Sequence, residues 1–159
     1  MPVVSGAEFL KAARQGGYAV GGFNTNNLEW TQAILEAAEA KQAPVLIQTS
    51  MGAAKYMGGY KICKDLITDL VEAMNITVPV AIHLDHGDYD AAMECIEVGY
   101  TSVMFDGSHL PFEENKGVDV FCISAGLLMI ASVLSETVPN NWRAVFPPFC
   151  SATKVGRMS

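Results

Sequence analysis

Hydrophobic and polar positions follow two alternating patterns along the first two thirds of the chain. Short apolar runs bounded by glycine, proline or asparagine indicate buried strands, and longer segments with apolar side chains every three or four residues indicate helices packed on one face. Strands are predicted over residues 18–23, 44–49, 80–82 and 101–105, and helices over residues 6–15, 28–41, 60–74 and 89–98. Such alternation predicts an α/β fold in which a parallel sheet is connected by right-handed helical crossovers.

The helix boundaries carry local signals of their own. Ser5 followed by Glu8 forms a capping box that predicts the start of the first helix, and Gly16-Gly17 predicts its end. In the helix over residues 28–41, the spacing of Trp30, Ile34 and Ala38 predicts the buried face.

Composition narrows the class of protein. The chain has 159 residues, half of them hydrophobic and 17% charged, which is typical of one folded domain. Its net charge of −7 argues against a nucleic acid or an anionic membrane as partner. The charge is unevenly distributed, because residues 1–115 carry a net negative charge and residues 116–159 a net positive charge.

Cysteine usage and hydropathy indicate the compartment. The four cysteines show no close pairing and are interpreted as reduced thiols of an intracellular protein. No signal peptide is visible, and the apolar run over residues 120–134 is shorter than the ~18 residues that span a bilayer. We therefore expect a cytoplasmic protein with that run buried.

The predicted third strand leads directly into ionisable side chains. His83, Asp85 and His86 follow the apolar residues 80–82 and precede Gly87. In parallel α/β folds, ligands bind at the carboxyl ends of strands. A neutral imidazole is a good zinc ligand and a neighbouring carboxylate can transfer a proton, so the pattern suits metal-assisted catalysis. The alternative is that His83 is satisfied by a backbone partner and that Asp85 and His86 begin a helix-capping loop.

Residues 83–87, His-Leu-Asp-His-Gly, preceded by Val-Pro-Val-Ala-Ile, resemble the signature of class II, zinc-dependent fructose-bisphosphate aldolases. Residues 21–27, 44–50 and 102–109 resemble three further strand ends of that family. The resemblance covers about residues 1–115. It implies the parallel (β/α) units of a TIM barrel, a Zn²⁺ cofactor that polarises the substrate carbonyl, and a phosphorylated ketose as substrate.

The same resemblance implies roles for individual residues. Asp85 corresponds to the catalytic proton donor and acceptor, and His86 to a zinc ligand. Asn24 and Ser50 correspond to positions near the substrate; the alternatives are that Asn24 caps a helix and that Ser50 satisfies loop backbone. Asp106 corresponds to a second metal position or a residue lining the site, with a turn cap as its alternative.

Beyond residue 115 the resemblance fails. The family takes its other two zinc histidines from later glycine-rich segments, whereas this chain has only His83, His86 and His109. We expect His83 to point into the barrel or its wall and not at the metal. Residues 1–115 are thus expected to form the N-terminal half of a (β/α)8 barrel, truncated to roughly half, and residues 116–159 a divergent segment that is either a remnant or artefactual.

Two classes of function remain open at this point. The first is reversible aldol cleavage of fructose 1,6-bisphosphate to dihydroxyacetone phosphate and glyceraldehyde 3-phosphate in glycolysis, with tagatose 1,6-bisphosphate as a close variant. The second is an inactive fragment or a non-catalytic interaction module. A half barrel would expose sheet edges, and pairing of two copies would cover them, so a homo-oligomer is expected.

Overall fold

The computed structural model describes residues 2–111 and the backbone of residues 128–131. Five helices and five strands are formed within these ranges. They are α1 (Gly6–Gly16), β1 (Gly21–Asn24), α2 (Leu28–Lys41), β2 (Val45–Ser50), α3 (Met51–Met57), α4 (Tyr60–Ala73), β3 (Val80–Gly87), α5 (Tyr89–Val98), β4 (Ser102–Phe105) and β5 (Leu128–Ala131).

The strands form one sheet in the order β1-β2-β3-β4-β5, and every neighbouring pair is parallel. This confirms the predicted α/β class with parallel (β/α) units. The fifth strand begins opposite Ser102 of β4 and falls inside the apolar run over residues 120–134. The other residues from 112 onwards, including the remainder of the divergent segment, lie outside the described part of the chain.

The main hydrophobic core lies between one face of the sheet and helices α2 to α5. Ile47, Ile82 and Val103 contribute from neighbouring strands and are fully buried. On α2 the predicted buried face is wrong at Trp30, whose exposed fraction is 56%, because the helix instead turns Thr31, Leu35 and Ala38 inward. The Thr31 hydroxyl is satisfied there by the hydroxyl of Thr25 at 2.8 Å.

The opposite face of the sheet is covered at its amino end by α1. Phe9 of that helix packs against Leu46 of β2 and Ala81 of β3. The segment before α1 runs beside β3, where the Val80 amide donates to the Pro2 carbonyl at 2.8 Å. The carboxyl end of this face is left for polar side chains.

The helices that directly follow β1, β2 and β3, and α1 as well, each begin at a side-chain cap. Ser5 starts α1 as predicted, Asn27 starts α2, Ser50 starts α3 and Asp88 starts α5, each accepting a hydrogen bond from a backbone amide of the first turn. These caps hold the loops at the carboxyl edge of the sheet in place.

No helix among the described residues is long and apolar enough to cross a bilayer.

Candidate active site

The candidate site lies at the carboxyl end of β3, where the strand departs from regular geometry. The pairing between β3 and β4 shifts register between Leu84 and Gly87, and His86 has a left-handed backbone with φ 54°. In a regular strand Asp85 and His86 would point to opposite faces. The irregularity turns His86 so that its Nε2 lies 3.9 Å from Asp85 Oδ1. The strand therefore continues through the ionisable residues, whereas the sequence predicted its end before them.

Gly87 is needed for this geometry. The side chain of Leu84 folds over the position that a Cβ atom of residue 87 would occupy, with Leu84 Cγ only 2.9 Å from it. Any larger residue would require a shift of the Leu84 side chain, which is fully buried in the hydrophobic core.

Asp85 has a defined partner for one of its two oxygens. Its Oδ2 accepts a hydrogen bond of 2.7 Å from Nδ2 of Asn24, at the end of β1. Its side chain is 23% exposed, so Oδ1 remains accessible beside His86. The alternative that Asn24 caps a helix is wrong, because Asn27 supplies the cap of α2 by accepting from the Trp30 amide at 2.8 Å.

His86 is oriented from the other side by Asp106, which follows β4. His86 Nδ1 and Asp106 Oδ2 are 2.7 Å apart. The hydrogen bonds from His86 and from the Ser108 hydroxyl and amide lower the pKa of Asp106 to about 2, so Asp106 is a carboxylate at neutral pH. The Ser108 amide donates to Asp106 Oδ1 at 3.0 Å, which is the turn-capping contact considered as the alternative for this residue. Asp106 thus caps a turn and also holds His86.

Ser50 lies opposite Asp85 in the pairing of β2 with β3. Its hydroxyl oxygen accepts from the Ala53 amide at 3.1 Å and so begins α3. The expected satisfaction of nearby backbone by Ser50 is therefore observed as a helix cap. The hydroxyl proton is still available to a partner at the site.

His83 is part of the sheet wall, two residues before Asp85. It is 1% exposed, and its Nδ1 lies 2.7 Å from the Ser102 hydroxyl of β4. Burial lowers its pKa to about 4, partly opposed by the charge of Asp85, so the ring is neutral near pH 7. The partner of His83 is a side chain and not the backbone group considered from the sequence.

The residues around His86 fit zinc as one part of a site. Asp106 is a carboxylate and accepts from Nδ1, which leaves the lone pair of Nε2 for a metal. Zinc-bound histidines commonly donate their other ring nitrogen to a carboxylate in this way. A structural or catalytic zinc takes three or four protein ligands. Within the described residues no group of three histidine, cysteine, aspartate or glutamate side chains is arranged to hold a metal.

Two contacts of the site were not foreseen from the sequence. The bonds from Asn24 to Asp85 and between His86 and Asp106 join residues 61 and 20 positions apart. The sequence could have predicted their general location. The carboxyl ends of parallel strands share one edge of the sheet, so polar residues at the ends of β1, β3 and β4 lie near one another. Which side chains would meet depended on the irregularity in β3.

Comparison with protein families gives a match over most of the described chain. Residues 4–118 match the family model for class II fructose-bisphosphate aldolase. Over 115 residues the chain is 81% identical to the fructose-bisphosphate aldolase of Streptococcus pyogenes serotype M1, which covers 72% of this chain and 39% of that relative. It is 58% identical over 116 residues to the fructose-bisphosphate aldolase of Geobacillus stearothermophilus, again 72% of this chain and 40% of the relative. The chain thus spans about two fifths of the length of these relatives.

Solved structures give the same picture of the fold. The YdjI aldolase of Escherichia coli K12 aligns with a TM-score of 0.71 at 25% identity, over 81% of this chain and 50% of that one. The fructose-bisphosphate aldolase of Campylobacter jejuni aligns with a TM-score of 0.66 at 24% identity, over 85% of this chain and 48% of that one, which is a likeness of fold.

Proposed function

Because the chain belongs to the class II fructose-bisphosphate aldolase family, we propose that it carries the acid–base residue and one zinc ligand of an aldolase that cleaves fructose 1,6-bisphosphate. The observation that supports this most directly is the Asp85–His86 pair at the end of β3, with Asn24 holding the first and Asp106 holding the second. Residues 1–115 would be the N-terminal half of a (β/α)8 barrel, and residues 116–159 a separate, divergent segment.

Asp85 is suited to move one proton between itself and a substrate hydroxyl. In the cleavage direction its Oδ1 takes the proton of the hydroxyl next to the breaking carbon–carbon bond. The hydroxyl carbon then becomes the aldehyde carbonyl of glyceraldehyde 3-phosphate. The electron pair of the broken bond passes towards the ketone, which leaves as dihydroxyacetone phosphate after protonation. In the synthetic direction Asp85 returns the proton to the new hydroxyl.

His86 would hold zinc through Nε2, and Asp106 would fix the ring by accepting from Nδ1. Bound zinc supplies Lewis acidity that polarises the substrate carbonyl. We assign Asp106 to this orienting role in preference to a direct metal contact, since both of its oxygens accept hydrogen bonds within the protein. Ser50, at the same level of the sheet as Asp85, would offer its hydroxyl proton to the substrate.

The proposal can be tested in a chimera in which a related enzyme supplies the rest of the barrel. Residues 1–115 of this chain replace the matching segment of the Streptococcus pyogenes enzyme, and zinc content and cleavage of fructose 1,6-bisphosphate are measured. We expect stoichiometric zinc and turnover. In the chimera, Asp85→Ala should lower kcat by about 10²- to 10⁴-fold, the usual contribution of a general acid–base. His86→Ala should lose zinc, and Asp106→Asn should weaken zinc binding by about 10- to 100-fold.

Asp69→Asn is the matched control for these changes, because it removes the same charge from an exposed position on α4. It should leave zinc content and turnover unchanged. Full turnover in the Asp85→Ala chimera would overturn the proposed role of Asp85, and zinc retained by His86→Ala would overturn that of His86.

The competing function is a non-catalytic interaction module. It is favoured by the finding that, among the described residues, no three histidine, cysteine, aspartate or glutamate side chains are arranged to hold a metal. For the 159-residue chain by itself we therefore expect substoichiometric zinc and no turnover that a chelator abolishes. Stoichiometric zinc with chelator-sensitive turnover would show instead that this chain completes a site unaided.

A further inference from the structure

We propose that Asn24 is a positioning residue for Asp85 and not a substrate ligand. This inference rests on the proposed acid–base role of Asp85. It assigns to β1, a strand whose four residues are all exposed, a part in the chemistry at the end of β3.

The hydrogen bond from Asn24 to Asp85 passes over an intervening strand. Asn24 pairs in register with Gln48 of β2, and Asp85 pairs with Ser50 of the same strand. Two strand spacings of ~4.8 Å therefore separate their backbones. Both side chains extend across the same face of the sheet to bring Nδ2 within 2.7 Å of Oδ2.

The neighbouring glycine, Gly22, leaves space on this face of β1 for a side chain of β2. Gly22 is two residues before Asn24 and so shares its face. A Cβ atom at Gly22 would lie 2.8 Å from Gln48 Oε1, so the Gln48 side chain occupies the space that a larger residue would fill. On this face of β1, Gly22 leaves room for the Gln48 side chain, and Asn24 lies at the carboxyl end of the strand.

Other structural uses of Asn24 are taken by its neighbours. Asn27 caps α2, and Thr25 is buried and bonds to Thr31. The Asn24 side chain itself is exposed and adds no apolar packing. Its bond to Asp85 is therefore the contact through which it acts.

The bond makes the two oxygens of Asp85 chemically different. An amide NH₂ group only donates, so Oδ2 facing Asn24 is held as an acceptor. Oδ1 faces His86 Nε2 at 3.9 Å and is the oxygen left to take and return a proton. Asn24 fixes the rotation of the carboxylate and so decides which oxygen meets the substrate.

Kinetics of the chimera distinguish positioning from substrate binding. Asn24→Ala should lower kcat by about 10- to 100-fold through misplacement of the reacting group, with KM nearly unchanged. Asn24→Gln keeps the NH₂ donor and should restore part of the loss. Asn26→Ala is the matched control, because it removes an exposed asparagine two residues away in the same loop. A raised KM with unchanged kcat would overturn the proposal and assign Asn24 to the substrate.

A spectroscopic measurement on the full 159-residue chain separates this inference from the proposed function. The side-chain amide protons of Asn24 are followed by NMR in the unaltered chain and in Asp85→Ala. A bond to the carboxylate predicts one amide proton well downfield that moves upfield in the variant, while the Asn27 amide stays in place. An unchanged Asn24 resonance would overturn the inference even if the chimera is active. A moving resonance together with an inactive chimera would support the contact between Asn24 and Asp85 and overturn the acid–base role on which the positioning role rests.

Discussion

Among single residues, His83 combines nearly complete burial with one polar partner, Ser102. Burial lowers the pKa of His83 from 6.5 to about 4. Between these two values the unfolded chain binds a proton that the folded chain does not. As far as His83 is concerned, the free energy of unfolding is therefore highest above pH 6.5. It decreases progressively as the pH falls towards 4.

This gives a prediction for the full chain. The free energy of unfolding should fall by about 2 kcal/mol between pH 7 and pH 5 on account of His83. His83→Asn, which has no group titrating in this range, should flatten the dependence, as measured by urea unfolding at the two pH values. His109→Asn is the control, because His109 is exposed. An equal slope in His83→Asn and the unaltered chain would contradict the assignment.

At the scale of elements, Glu39 ties α2 to the segment that leads into β3. Its carboxylate accepts from the Thr77 amide at 2.7 Å, the Thr77 hydroxyl at 2.6 Å and the Val78 amide at 3.3 Å. The hydrogen bonds from Thr77 lower the pKa of Glu39 from 4.5 to about 2. This contribution is complete above pH 4.5 and is lost as the pH falls through about 2.

Glu39→Gln should therefore lower Tm at pH 7, because an amide cannot accept from all three donors as a carboxylate does. The difference in Tm from the unaltered chain should narrow below pH 4.5 and nearly close around pH 2. Glu36→Gln, an exposed change one turn earlier on α2, is the matched control and should leave Tm close to its original value. A difference in Tm that does not change with pH would show that the lost contact is not ionic.

Elements with strong local signals were predicted closely. The bounds of α2 and α5 agree with the prediction, because the polar cap before each helix and the lost periodicity after it mark both ends. The strand β1 begins at Gly21, three residues later than predicted. The residues from 18 onwards suggested a strand, but a strand begins only where its backbone pairs with a neighbour. For β1 that neighbour is β2, whose first paired residue, Val45, lies opposite Gly21.

The site was predictable in composition but not in its contacts. Asp85 and His86 were expected at a strand end from their position after an apolar run. The partner of Asp85 depends on how β1 and β3 align across β2, and that of His86 on its left-handed backbone and the register shift in β3, which no local pattern of apolar residues encodes. The resemblance named Asn24 and Asp106 without showing which atoms they would contact.

At the scale of the molecule, β1 pairs with β2 on one side, and no other described strand pairs with its second edge. All four of its residues are exposed, including Phe23 at 52%. An open edge with an exposed aromatic residue favours pairing with another chain. This is the physical reason for the expected homo-oligomer.

We accordingly predict concentration-dependent self-association of the 159-residue chain in sedimentation experiments. Phe23→Lys should shift the equilibrium towards the monomer, because a charge beside the edge disfavours strand pairing. Tyr56→Lys is the control, since Tyr56 is 79% exposed but lies on α3 and not on the sheet edge. Identical association of both variants would mean that the contact lies elsewhere.

The register shift in β3 also divides the strand into two parts that should respond differently to substitution. Below it, residues 80–84 alternate between the two faces of the sheet, so their identities are fixed by packing. Above it, the direction of His86 follows from its own left-handed backbone. A conservative apolar substitution in the packed part should therefore leave the direction of His86 unchanged. The core of the strand is thus held by packing, while its reactive end is set by the backbone of one residue, His86.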